Sequence, residues 1–243
     1  MRPDASTSKH LVDIGRHLIR VAIQMRDWSS VSLQAGKIGG LVAPDAASDP
    51  PRYLKTARGI AALETGAFED AAHAFTTIPA AAVDRPWTEG DVASPNDVAA
   101  YGAILGLATM ERPALRSNVL ESATFRPYLE LEPHLRKALG FYVNGKYKAC
   151  LEILEAYRAD YMLDIHLYRH IPALYERIRT KCIVQYLIPY SYISMESLAE
   201  TFGRSGESIA REICQMIRGG ALDARINSID KVSSGSSISL PPP

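Results

Sequence analysis

Charge of one sign is what this sequence most plainly lacks. Lysine plus arginine and aspartate plus glutamate each number 27, so the formal net charge is zero. A balanced chain has no broad field for holding nucleic acid or an anionic membrane, although local patches stay open. Cysteine is scarce too: Cys150, Cys182 and Cys214 are odd in number and widely spaced. None forms a CxxC pair, so neither a zinc ribbon nor a redox motif is indicated. Each falls in an apolar helical pattern, where a thiol behaves as a small hydrophobe, and reduced thiols of an intracellular protein are expected. No apolar run approaches the ~18 residues that a membrane span needs. The polar start MRPDASTSKH is not followed by the apolar stretch of a signal peptide. A soluble intracellular protein without membrane contact is the expectation.

What is present is helical spacing. Apolar residues make up 47% of the 243, enough for a sizeable core, and most recur at three- and four-residue intervals. Leu11, Ile14, Leu18, Val21, Ala22 and Met25 trace one helical face, and a second helix is expected over 30–42. Pro44 to Pro51 reads as a connector. Residues 52–78 read as a helix pair. Gly59, Ala62 and Ala71 let two antiparallel helices approach, Phe68 and Phe75 fill the gap, and Gly66 sits at the turn. The phrase LETGAFEDAAHAF returns about 79 residues later as VNGKYKACLEIL. Gly66 matches Gly145, Phe68 matches Tyr147, Ala71 matches Cys150 and Phe75 matches Leu154. That is about two units of 40 residues, the range of helical solenoids. A degenerate unit, capped by Ser94-Pro95-Asn96-Asp97, lies between them. Residues 79–95 and the region around Pro127 and Pro133 read as loops.

The pattern changes after a helix over 172–187. Ser194 caps a short helix ending at Gly203, and Ser205 or Gly206 opens another that closes at Gly219-Gly220. Leu222, Ala224 and Ile226 then alternate with Asp223, Arg225 and Asn227, the period of a half-buried strand. Ser228 to Asp230 reads as a turn and Lys231-Val232 as the start of a return strand. Three helices followed by a hairpin is the order of a winged helix. The last residues, 233–243, read as a disordered tail. The fold class is thus mostly α: a tetratricopeptide-like solenoid followed by a C-terminal winged helix. The expected units are 1–50, 51–171, 172–232 and the tail 233–243.

Chemical constellations are thin. His166 and His170, with Asp164 near, have the i,i+4 spacing of zinc-binding imidazoles. However, Leu167 stands where the protease motif needs Glu, and no third ligand stands out. GRSGE at 203–207 misses the GxSxG spacing. No P-loop or GxGxxG occurs, so no catalytic residue, cofactor site or metal site is assigned. The third helix of the winged helix balances Arg211 and Arg218 against Glu207 and Glu212, whereas groove-reading helices carry excess positive charge. A strand over 222–226 at a sheet edge would offer unpaired N–H and C=O groups to a neighbouring chain.

Several segments together resemble the PCI family, shared by the proteasome lid, the COP9 signalosome and a translation initiation factor. They are IRVAIQMRDWSSV (19–31), SPNDVAAYGAILGLATMERPALRSNVLES (94–122), FRPYLELEPHLRKAL (125–139), LYERIRTKCIVQYLIPYSYISMESLAETFG (174–203) and GGALDARINSIDKV (219–232). Within that family they look most like the signalosome's subunit 1 group. The resemblance implies a non-enzymatic scaffold in the complex that deneddylates cullin-RING ubiquitin ligases, the metal-dependent protease belonging to a different subunit family. It implies other PCI subunits, and cullin-RING ligases, as partners, and a location in cytoplasm and nucleus. It places the interface at Leu222, Ala224, Arg225, Ile226 and Asn227. The other readings are a proteasome-lid-type PCI subunit, a winged-helix nucleic-acid-binding protein and a free-standing regulatory module. Relatives carry further repeats ahead of residue 19 and a helix after the wing, where this chain has a proline-rich tail.

Overall fold

The computed structural model describes residues 8–42, 52–79, 91–203, 205–227 and 237–239. The helical array opens with α1 (Ser8–Gln24) and α2 (Trp28–Val42), then α3 (Arg52–Glu64) and α4 (Phe68–Thr76). It continues with α5 (Pro95–Thr109), the short α6 (Arg112–Leu115) and a π-helical turn, Arg116–Leu120. Next come α7 (Arg126–Leu131), α8 (Pro133–Val143), α9 (Tyr147–Ala156) and the single turn α10 (Arg158–Tyr161). From α1 to α5 each helix packs on its successor. The expectation of a mostly helical chain holds.

One turn geometry recurs through the array. At Gly66 the N–H bonds back to the Leu63 carbonyl and the next N–H, on Ala67, reaches the Ala62 carbonyl at 2.8 Å. Gly145 and Lys146 repeat this onto Tyr142 and Phe141, as do Arg26 and Asp27 onto Ile23 and Ala22. This paired bonding ends a helix by turning one residue left-handed. Gly66 and Gly145 sit at φ +82° and +74°, where a missing Cβ removes the penalty, and Arg26 accepts φ +56° without that relief. The three turns fall about 40 and 79 residues apart, the repeat period read from the sequence.

Small residues set the close approaches. A Cβ on Gly59 would lie 2.8 Å from the Phe75 ring, so α3 and α4 meet there as their sequence suggests. In α5 a Cβ on Gly102 would lie 2.4 Å from the Phe125 ring. That helix is buried along nearly its whole length, from Val98 to Ala108. A helix apolar all round belongs in the middle of a core. Its start is fixed by a capping box: Ser94 accepts from the Asp97 N–H, and the Asp97 carboxylate accepts from the Ser94 N–H.

Several local expectations are corrected. Pro127 and Pro133 do not lie in loops but open α7 and α8, where a missing N–H costs nothing. In α1 the face running through Leu11, Ile14, Leu18, Val21 and Met25 is exposed, and Gly15, Ile19 and Ala22 are buried. Among the described residues α1 packs chiefly on α2, which covers only part of its apolar arc. After α5 the degenerate unit continues as the short α6 and the π-helical turn. The Pro44–Pro51 connector and most of the 79–95 loop lie outside the described residues.

The C-terminal module consists of α11 (Ile171–Leu187), β1 (Tyr192–Ser194), α12 (Met195–Phe202), α13 (Gly206–Arg218), β2 (Arg225–Asn227) and β3 (Ser237–Ser239). The strands form an antiparallel sheet in the order β1-β3-β2, with Ile238 opposite both Ile193 and Ile226. Three helices and a three-stranded sheet in this order make a winged helix. Part of the tail expected to be disordered is therefore the central strand. Its Ser-, Gly- and Pro-rich composition hides a three-residue strand, one of whose partners, β1, lies more than 40 positions away in sequence. The return strand expected at Lys231-Val232 lies outside the described residues.

Candidate docking edge of the winged helix

The winged helix is built around the inner faces of its helices. In α11, Ile171, Leu174, Ile178, Cys182, Ile183 and Leu187 are buried, which is a 3-4 spacing on the side facing the array. Ser194 ends β1 and caps α12 by accepting from the Ser197 N–H, and Gly203 at φ +64° closes that helix. Ile209, Ile213 and Met216 bury the inner face of α13. The apolar core runs without a break from the repeats into this module.

Polar contacts stiffen the module and tie it to the repeats. Within the module, the Arg179 guanidinium of α11 binds the Glu212 carboxylate of α13 through two of its nitrogens, at 2.6 and 3.1 Å, and lies over the Phe202 ring. The two-pronged geometry and partial burial make this pair stiffer than a surface ion pair. Lys181 donates to the Leu107 and Met110 carbonyls at the C-terminal end of α5, at 2.9 and 2.5 Å. A cation there meets the negative end of the helix dipole. Burial pulls the Lys181 amine below its ordinary value. Between α9, α11, α12 and α13 lies a groove of about 700 Å³ lined by charges of both signs, among them Lys148, Glu152, Arg158 and Arg211.

Among the described residues, the sheet order places β2 at one edge and β1 at the other. Of the five residues singled out in the sequence, Arg225, Ile226 and Asn227 form β2. Leu222 and Ala224 do not belong to the strand. Their side chains are buried against the module's core, while Arg225 is exposed and Ile226 half-buried. The alternation in 222–226 is thus real as burial, but pairing starts only at Arg225. Sequence reasoning missed β1. Its signal was the short Tyr192-Ile193-Ser194 run, in which Tyr192 is exposed and Ile193 buried.

His166 and His170 lie in a turn segment before α11, not on a helix. The His166 ring bonds to the Glu64 carboxylate at 2.8 Å, and the His170 ring packs edge-on against Phe68. Among the described residues, no three His, Cys, Asp or Glu side chains cluster as metal ligands would. No described helix is long and apolar enough to cross a membrane. On the outer face of α13, Glu207, Arg211, Gln215 and Arg218 carry little net charge.

Comparison with known proteins agrees with this architecture. The family description "26S proteasome subunit RPN7" matches residues 1–118, and "PCI domain" matches residues 154–232. The chain is 44% identical over 232 residues to COP9 signalosome complex subunit 1 of Neurospora crassa, and 40% over 241 residues to that of Emericella nidulans. These alignments cover 95% and 93% of this chain, and 54% and 47% of the relatives. The chain thus spans about half the length of the curated relatives it matches. Similarity to the 26S proteasome non-ATPase regulatory subunit 6 homolog of Arabidopsis thaliana is lower, at 22% over 218 residues covering 90% of this chain and 55% of that protein. Residues 154–232 match the PCI domain, and along 95% of its length the chain is similar to proteins named COP9 signalosome complex subunit 1.

Proposed function

We propose that this chain is a non-catalytic scaffold subunit of the COP9 signalosome, which docks a neighbouring PCI subunit through the open edge of β2. The observation that carries the reading is the sheet order: among the described residues, β2 pairs with a strand on one side only. A strand in that position can extend its ladder into another chain, with backbone bonds giving affinity and flanking side chains giving choice of partner. Stiffness supports the reading as well. The Arg179–Glu212 clamp and the Lys181 bonds to α5 fix the edge relative to the repeats, so the whole chain positions the bound neighbour. In such a subunit, the contribution to cullin-RING deneddylation is placement of partners, without bond chemistry of its own. Cytoplasm and nucleus are the compartments that go with this role.

Replacing Ile226 by Pro tests the edge. Proline removes a donor and restricts the backbone, so a ladder through β2 should fail. The tagged variant should lose co-purifying PCI subunits at least tenfold, while its far-ultraviolet circular dichroism stays that of the parent. Charge reversal at the exposed Arg225 (Arg225→Asp) should weaken pairing without touching the core. Undiminished co-purification of both variants, or recovery of the parent only with proteasome lid components, would overturn the reading.

A further inference from the structure

One side of α8 carries charge of a single sign. Leu135, Ala138, Leu139 and Tyr142 bury the inner side in the core. Arg136, Lys137, Gly140, Phe141 and Asn144 fall on another side by their four-residue spacing. Of these, Arg136, Lys137 and Asn144 are exposed, and Gly140 and Phe141 half-buried. Lys146, in the turn that follows, is exposed and stands with its ammonium 5.9 Å from the centre of the Phe141 ring. Contact with a ring face holds a cation in place. Among the described residues, none of these three cations pairs with a carboxylate. The acids of the neighbouring elements are engaged elsewhere. Glu121 pairs with Arg116 at 2.8 Å, Glu130 with Arg126 at 3.5 Å and Glu155 with Arg158 at 3.2 Å. Glu132 accepts from Asn96 at 2.7 Å and lies 3.4 Å from the His134 ring. Glu152 lines the groove toward α13, and Glu111 interacts with the Lys181 amine.

A glycine in the middle of the stripe is the second observation. Gly140 is a destabilising choice in a helix interior, and no packing in the fold calls for it: an added Cβ would meet nothing within 4 Å. A bare backbone on a surface lets another backbone come close. Gly36 and Gly40 of α2 are open too, but that helix carries a single cation, Lys37. At α8 an open glycine, an aromatic ring and three unpaired cations coincide.

We propose that this stripe binds an acidic segment of another protein, whose carboxylates meet Arg136, Lys137 and Lys146 and whose backbone crosses α8 at Gly140. Charge complementarity selects the sign. Size selects a polypeptide over a nucleic acid. Residues 136–144 span about 12 Å of helix, whereas duplex binders draw on about 6–10 phosphate contacts, and the chain as a whole is neutral. The site is separate from the β2 edge and does not rest on it.

The test uses the full chain and the labelled peptide EELEELEE, read by fluorescence anisotropy. Binding should be saturable and should weaken with salt. Lys137→Glu/Lys146→Glu should lower affinity at least tenfold with unchanged thermal unfolding, because both side chains are exposed. Arg20→Glu, which reverses an exposed charge on α1, should bind as the parent does. Gly140→Leu keeps every charge, yet should lower affinity several-fold while melting no lower than the parent. Ile226→Pro, run in parallel, should leave peptide binding intact, so failure at one site is distinguishable from failure at the other. The proposal is overturned if the parent does not bind the peptide, or if the double variant or Gly140→Leu binds at parental strength. It is overturned as well if Arg20→Glu loses as much as the double variant. Tighter binding of a labelled DNA duplex, lost in the same double variant, would overturn it in favour of a polyanion site.

Discussion

Glycine-to-alanine substitution should change sign between helices of this protein. At Gly102 the added Cβ would lie 2.4 and 2.6 Å from two atoms of the Phe125 ring, which is fully buried in the core. The ring has to shift by about 1 Å, and overpacking of that kind costs about 1–3 kcal/mol. Alanine recovers about 0.8–1.0 kcal/mol of helix propensity, so Gly102→Ala should destabilise by about 1 kcal/mol. At Gly36 in α2 and Gly140 in α8, an added Cβ meets nothing within 4 Å. There the propensity gain is unopposed, and Gly36→Ala or Gly140→Ala should stabilise by about 0.5–1 kcal/mol. For a chain of this size 1 kcal/mol is about 2–4 °C in Tm, so the two classes should separate by about 3–8 °C. Thermal and urea unfolding followed by circular dichroism would read it. A Phe125→Leu partner substitution should relieve part of the Gly102→Ala loss. If Gly102→Ala melts with Gly140→Ala, the ring is not seated on α5 and the packing of the central helix has been read wrongly.

Two further predictions follow from backbone and charge. Arg26 takes a left-handed conformation that costs a non-glycine residue about 1 kcal/mol, so Arg26→Gly should raise stability by about 0.5–1 kcal/mol in urea titrations, and an unchanged midpoint would count against the turn geometry. His134 and His170 are both pulled below the ordinary imidazole value by burial. The unfolded chain is then the better proton binder, so their contribution is intact above about pH 6.5 and is lost as the pH falls through that value toward the folded ones. Urea midpoints between pH 5 and 8 should drop on the acid side, and His134→Gln/His170→Gln should flatten that drop.

Much of this architecture is legible in the sequence because it rests on local physics. Gly66 and Gly145 mark turns since only a left-handed residue ends a helix there. Ser94 and Asp97 announce a helix start through a four-residue bonding pattern. Alternation at 222–226 reports burial correctly, since side-chain direction in an extended chain has a period of two. Where the reading failed, the deciding contact is distant. Leu11, Ile14, Leu18, Val21 and Met25 form a sound apolar face, but which part of it is buried depends on where α2 lies. Pro127 and Pro133 can break a helix or open one, and only the residues packed around them decide.

The sequence by itself determined most of the helices, the repeat of about 40 residues and the order of the three helices of the C-terminal module, because propensity, capping and turn chemistry act within a few residues. The tertiary structure alone decided that β3 lies between β1 and β2, which makes Arg225–Asn227 an edge. It also decided that Tyr101 meets Asp164 and that Glu64 meets His166. The β1–β3 pairing and the Tyr101–Asp164 and Glu64–His166 bonds join residues 43 to 102 positions apart, and no local preference carries information over such distances; only close packing of the whole chain does.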